Sequence, residues 1–147
     1  MADHLHKQIR AAIVTALTGL TTTGSRVYAN RLQPLPDALS PTLLITLDSE
    51  DVEVITIHSP PQQFRTLKLA VTAVAKATSG LDDTLDQISK EVEVALSSGI
   101  TLSGRRIDLT YTGMAFDDEQ GDKPVATKRL DFFLQYSATA NAPDVIT

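Results

Sequence analysis

Between Leu67 and Ala77 the odd positions are apolar, reading Leu67, Leu69, Val71, Ala73, Ala75 and Ala77, while the even ones read Lys68, Ala70, Thr72, Val74 and Lys76. A period of two sustained that long predicts a β-strand with one dry face and one mixed face. Taken from Phe64 to Ala77 it would span roughly 40 Å at about 3.3 Å per residue. Such a strand is expected to run beyond its own sheet or to cross into a neighbour's.

The rest of the pattern arranges itself around this strand. Leu5, Ile9, Ile13, Ala16, Leu17 and Leu20 fall at spacings of three and four, which predicts an amphipathic helix with Asp3 as N-cap and Gly19 or Gly24 as its stop. Arg26 to Ala29 reads as a short strand, and the following NRLQPLPDALSP, with Pro34, Pro36 and Pro41, cannot continue a central ladder. Thr42 to Leu47 and Val52 to Ile57 have strand character, and the acidic link Asp48 to Asp51 between them predicts a hairpin. A second hairpin, turning at His58 to Pro61, is expected to pair Val52 to Ile57 with the first half of the long strand. The second half would then project past its partner. Ser79 with Asp82 predicts a variant capping box for a second helix, where Leu81, Leu85, Ile88, Val92 and Leu96 repeat until Gly99. On it, Asp86 and Lys90 form an i,i+4 pair of about 0.2 to 0.5 kcal/mol.

Two further alternating runs close the chain. Arg106 to Ala115 places Ile107, Leu109, Tyr111, Gly113 and Ala115 on one side. Val125 to Tyr136 places Leu130, Phe132, Leu134 and Tyr136 inward and Arg129, Asp131, Phe133 and Gln135 outward, with DDEQGDK as a charged hairpin loop between the two. The sum is an α+β fold, a mostly antiparallel sheet with two helices packed on one face. One domain is expected over residues 1–137 and a disordered arm over 138–147, where the residues are small and proline-bearing.

Composition narrows the function. The chain has 147 residues with 42% apolar and 21% charged, enough for a real core. Its net charge of −5 argues against a ligand gripped along phosphates, which needs a clustered basic patch. No cysteine is present, which removes disulfides, thiolate nucleophiles and cysteine zinc sites. The stretch Ala11 to Leu17 is too short for a secretory signal, and no window approaches the roughly 20 apolar residues of a membrane span.

Candidate chemistry is sparse. Neither a G-x-S-x-G elbow nor an S-x-x-K pair occurs, so no acyl-transfer enzyme is expected. His4 and His6 stand at i,i+2 near the N-terminus, where they do not face one metal and read as solvated. His58, beside Pro60 and Pro61, reads as a turn residue. The carboxylates of Asp117, Asp118, Glu119 and Asp122 suit a hard cation, but if Gly121 were the sixth position of an EF-hand the first would be Phe116, so a solvated tip or an acidic docking surface is preferred. No glycine-rich phosphate loop is present, and no cofactor or metal is expected. Arg105 and Arg106 read as exposed basic residues at a strand start. Phe133 points away from the dry face, so its cover is either a partner chain or the second helix or long loop of its own chain.

The order of pieces resembles the tail terminator proteins of long-tailed phages, the minor tail protein U type of the lambda-like viruses. The likeness is carried by IRAAIVTAL, RVYANR, LSPTLLITL, FRTLKLAVTAVAKA, the helix ending VALSSG and the closing RLDFFLQYSA, and it covers roughly His6 to Ala138. It implies a structural subunit, not an enzyme, that closes into a hexameric ring in the virion. That ring would sit at the head-proximal end of the tail, assembled in the host cytoplasm, where it stops tube polymerisation and meets the head-tail connector protein. Its partners would be itself, the tail tube protein and the connector, with DNA passing through without specific binding and no membrane involved. The alternatives are a head-tail completion protein of similar build and, from another class, a bacterial ligand-binding or enzymatic α+β domain. On the ring reading, Lys68, Thr72, Lys76, Phe133, Arg105, Arg106, Asp117, Asp118 and Glu119 are the candidate interface residues. The longer polar tips around DSED and DDEQGDK depart from the family pattern and leave open which loops face tube and connector.

Overall fold

The computed structural model describes residues 3–29, 41–76, 80–119 and 125–147, so the proline-rich loop from Asn30 to Ser40 and the tip from Gln120 to Pro124 lie outside the described residues. The elements in chain order are α1 (Leu5–Leu17), β1 (Val27–Ala29), β2 (Thr42–Val54), β3 (Gln62–Lys76), α2 (Leu81–Leu96), β4 (Ile100–Leu102), β5 (Arg105–Ile107), β6 (Leu109–Glu119) and β7 (Val125–Thr139). Five strands make the main sheet in the order β1-β2-β3-β7-β6, antiparallel apart from β1 against β2, and β4 pairs with β5 in a small hairpin.

The odd face of β3 is buried as its alternation requires, with Leu67, Leu69, Val71, Ala73 and Ala75 all within 3% of complete burial. Residues directly opposite each other in an antiparallel pair share a face. Glu50 lies opposite Leu67 and Lys128 opposite Ala73, and these two side chains reach His6 of α1 and Asp86 of α2. Both helices therefore lie on the odd face. Leu5, Ile9, Ile13 and Leu17 of α1 and Leu85, Ile88, Val92 and Leu96 of α2 seal the core against Leu130, Phe132, Leu134 and Tyr136 of β7. The fold is α+β, with a mostly antiparallel sheet and two helices on one side.

Several local expectations are corrected. The long strand does not overhang its partners: β3 is paired along its whole length with β7 and on its other edge with β2, so it is the centre of the sheet. The acidic link is not a turn, because β2 runs straight through it as one 13-residue strand with a bulge at Asp48, between Leu47 and Ser49. The extra residue shifts the phase of the alternation, so the apolar side passes from Leu43, Ile45 and Leu47 to Val52 and Val54. Of the second expected hairpin, Val52 to Val54 do pair with Gln63 to Arg65.

The run from Arg106 also divides. Arg105 to Ile107 pair with β4, and β6 begins at Leu109 with a second bulge, between Tyr111 and Gly113. That bulge brings Met114 and Phe116, rather than Gly113 and Ala115, to the helix side, opposite Leu130 and Lys128. Gly99 makes the turn into β4 possible: its φ is +75°, and a Cβ there would stand 2.3 Å from the carbonyl oxygen of Ile107.

Caps and termini differ as well. The N-cap of α1 is His4, whose ring accepts from the His6 N–H at 3.0 Å, and α2 starts after Gly80 with no side-chain cap, Ser79 lying outside the described residues. Asp86 pairs with Lys128 at 3.1 Å rather than with Lys90. The expected disordered arm is tied down: β7 continues to Thr139, the Leu5 N–H donates to Pro143 O at 2.9 Å, and the Thr147 N–H donates to Ser137 O at 2.9 Å. Backbone groups make these bonds, so small side chains do not prevent them. Among the described residues no helix is long and apolar enough to cross a membrane.

Candidate functional site

The two bulges lie on the strands that flank β3 and β7, and they converge on the face away from the helices. Asp48 at one bulge and Thr112 at the other line a pocket of about 400 Å³ with Lys68, Leu69, Asp131, Phe132 and Phe133. Lys68 and Phe133 are register partners, so the exposed ammonium stem lies beside the half-buried ring. Bulges re-aim side chains, and here one turns Asp48 to the open face, where it meets the Arg129 guanidinium. Arg129 Nε also donates to Asp131 Oδ1 at 2.8 Å, and Thr112 Oγ1 donates to the Asp131 carbonyl at 3.1 Å. The bond to Asp131, helped by Asp48, holds the Arg129 guanidinium above its usual range despite partial burial. The side chains of Arg129, Asp48 and Asp131 are 44%, 35% and 39% exposed, so each bridge contributes about 0 to 1 kcal/mol.

Thr72 and Lys76 continue this face along β3, and Asp117 joins it from β6 through its partner Thr127. Asp118 and Glu119 end β6 at the same edge. The structure thus gathers Lys68, Thr72, Lys76, Phe133 and Asp117 on one open surface. Neither helix covers Phe133, since both lie on the opposite side. Arg105 and Arg106 are separate: they are exposed on β5, where Arg106 pairs weakly with Asp108 at 3.6 Å.

A second polar group lies under the helices and has no local signal in the sequence. Glu50 Oε2 accepts from Tyr136 Oη at 2.5 Å and contacts His6 Nε2 at 2.9 Å, and its Oε1 accepts from Arg65 Nη1 at 3.3 Å. Burial by itself would raise the Glu50 carboxyl, but the hydrogen bonds from Tyr136 and His6 and the nearby charges hold it below its ordinary 4.5. The Tyr136 hydroxyl is pushed strongly upward by burial and by the carboxylate it serves. His6 is therefore not a solvated terminal histidine. The cluster has the chemistry of an anchor, with donors closing on one carboxylate at the place where α1, β2, β3 and β7 meet. Among the described residues no group of three or more histidines and acids is arranged to hold a metal.

No family model matches the chain, and no curated protein matches it. Among solved structures, a chain of the virion of a native gene transfer agent particle is similar with a TM-score of 0.53 and 19% identity, over 92% of this chain and 92% of its own. A second solved chain, without a functional name, is similar with a TM-score of 0.56 and 16% identity, over 89% of this chain and 96% of its own. At these identities the likeness is one of fold, and it spans nearly the whole chain in both cases.

Proposed function

We propose that this protein is a structural component of a phage-type virion and, within it, a tail terminator. In that role it closes into a ring on the end of the tail tube, stops tube polymerisation and offers its other side to the head connector. The observation that carries this reading is the end-to-end fold likeness to a chain of the gene transfer agent virion. The order of elements that resembles the tail terminators supports the narrower assignment.

The surface chemistry suits such a role. An open sheet face with one half-buried aromatic, exposed lysine and threonine and internally paired charges is suited to a contact between proteins. A ring subunit needs no reaction chemistry, and a net charge of −5 suits a hole through which DNA slides without being gripped. The test is a binding comparison with purified partners. A terminator binds tail tube subunits and halts their polymerisation, whereas a head-tail completion protein binds portal or adaptor and leaves the tube growing. Halted tubes with this protein on their ends are the expected result, and tubes that grow on unchanged would overturn the assignment.

A further inference from the structure

The β2–β3 hairpin ends in a finger of unusual surface chemistry. Val52, Val54 and Ile55 are 50%, 59% and 49% exposed, and Ile57 at the tip is 102% exposed. The finger is nevertheless held in shape: the Ile55 N–H donates to Gln62 O at 2.9 Å, the Gln62 N–H to Thr56 Oγ1 at 2.8 Å, and the Ala140 N–H to Pro61 O at 2.9 Å. Several large apolar side chains displayed on an ordered projection mark a docking element, since scattered exposed aliphatics are normal but clustered ones are not. Asp51 and Glu53 lie on the opposite face of β2 from Val52 and Val54, so the finger carries acidic as well as apolar side chains.

The same chain carries a receptor of matching character. Between the turn after α1 and the outer face of α2 lies a pocket of about 360 Å³, lined by Leu20, Thr21, Lys90, Val94 and Ala95 among others. Its wall is pinned, because Glu91 accepts from the Thr22 N–H at 2.9 Å and from Thr22 Oγ1 at 2.5 Å. Those bonds and the one from Gln87 occupy the Glu91 carboxylate, and they hold it below its ordinary range although burial acts the other way. Lys90 is left at the rim as a cation with no ion pair among the described residues, beside Val94 at 65% exposure.

We propose that the Val52–Ile57 finger of one copy docks into the Leu20–Val94 pocket of a second copy of this chain, Ile57 entering the apolar floor and Glu53 meeting Lys90. Charge selects this receptor over the other exposed apolar strip, Tyr111, Met114 and Phe116 of β6. Burial and Glu93 raise the Tyr111 hydroxyl there, and Lys128, opposite Phe116, is already paired with Asp86 at 3.1 Å, so an acidic finger would find an acid and a committed cation on that strip. Finger and pocket are different patches of one chain, so the contact is head-to-tail and generates a ring where the rotation closes. It deepens the ring reading, and its closure rests on that reading.

Light scattering on the full chain and its variants tests this. Ile57→Asp and Val94→Asp, both at exposed positions, should each keep the native circular dichroism spectrum and lose assembly, with about a 100-fold rise in the concentration needed for association. Mixing the two should yield a pair of chains and nothing larger, because the mixture holds one intact finger and one intact pocket. Glu53→Lys and Lys90→Glu should each weaken assembly about tenfold, and the double variant should recover it. Wild-type assembly that survives both Ile57→Asp and Val94→Asp would overturn the contact and leave the ring reading standing. A wild-type protein that never assembles would remove the ring reading itself. Rings that persist in Ile57→Asp but no longer halt tail tubes would assign the finger to the tube and also overturn the contact.

Discussion

Asp48 and Glu50 sit two residues apart on one strand and have opposite surroundings. A single inserted residue at the bulge sends Asp48 to the open face, into a half-exposed arrangement with Arg129 and Asp131, and leaves Glu50 under α1 with Tyr136, Arg65 and His6. The first carboxylate trades water for salt bridges that water and salt still screen. The second has surrendered most of its water, with its side chain 11% exposed, and depends on its partners. Similar acids two positions apart thus stand in a half-exposed pair in one case and a buried anchor in the other, and the backbone decides which.

The largest effect that would break this comparison is expected at Glu50. Glu50→Ala leaves the Arg65 guanidinium, in a residue 9% exposed, without its counter-charge and should cost roughly 3 kcal/mol in urea unfolding. A loss under 1 kcal/mol would return the cluster to the status of surface ion pairs. Acid sharpens the same point. Because the folded protein holds Glu50 below its ordinary 4.5, its contribution is complete above that pH and is lost as pH falls through the lower, folded value. Unfolding measured from pH 7 to pH 3 should show that loss in the wild type and a flatter profile in Glu50→Gln; parallel profiles would count against it.

On the open face the expected effects shift from folding to association. Phe133→Asp should weaken self-association more than thermal stability, and an equal loss of both would place the ring in the intrachain core. Neutralising Asp117, Asp118 and Glu119 together should spare the fold and impair head-to-tail joining, and unchanged joining in a virion assembly assay would remove that edge from the interface. The smallest effect is expected for Asp48→Ala, within about 1 kcal/mol of wild type by urea unfolding.

Much of the fold could be read directly because burial on one side imposes a period. The stripe Leu5, Ile9, Ile13 and Leu17, the dry face of β3 and the inward register of Leu130 to Tyr136 all follow from it. The pattern misleads where the period changes phase inside a strand. Leu43, Ile45 and Leu47 give way to Val52 and Val54, and Tyr111 gives way to Met114, and a phase change signals a turn and a bulge equally well. At Asp48 it is a bulge, so the strand continues and the site forms between the two bulges. The Glu50 cluster had no such signal: His6, Arg65 and Tyr136 lie 44, 15 and 86 residues from Glu50 in the chain and meet only in the folded sheet.

The proposal that this chain works as a ring meets its most direct test in the mass and shape of the purified protein. Light scattering across a concentration series, with negative-stain images of the largest species, should show a closed ring with the mass of about six 15.9 kDa chains. A monomer that persists at high concentration, and still persists when tail tube protein is added, would contradict it.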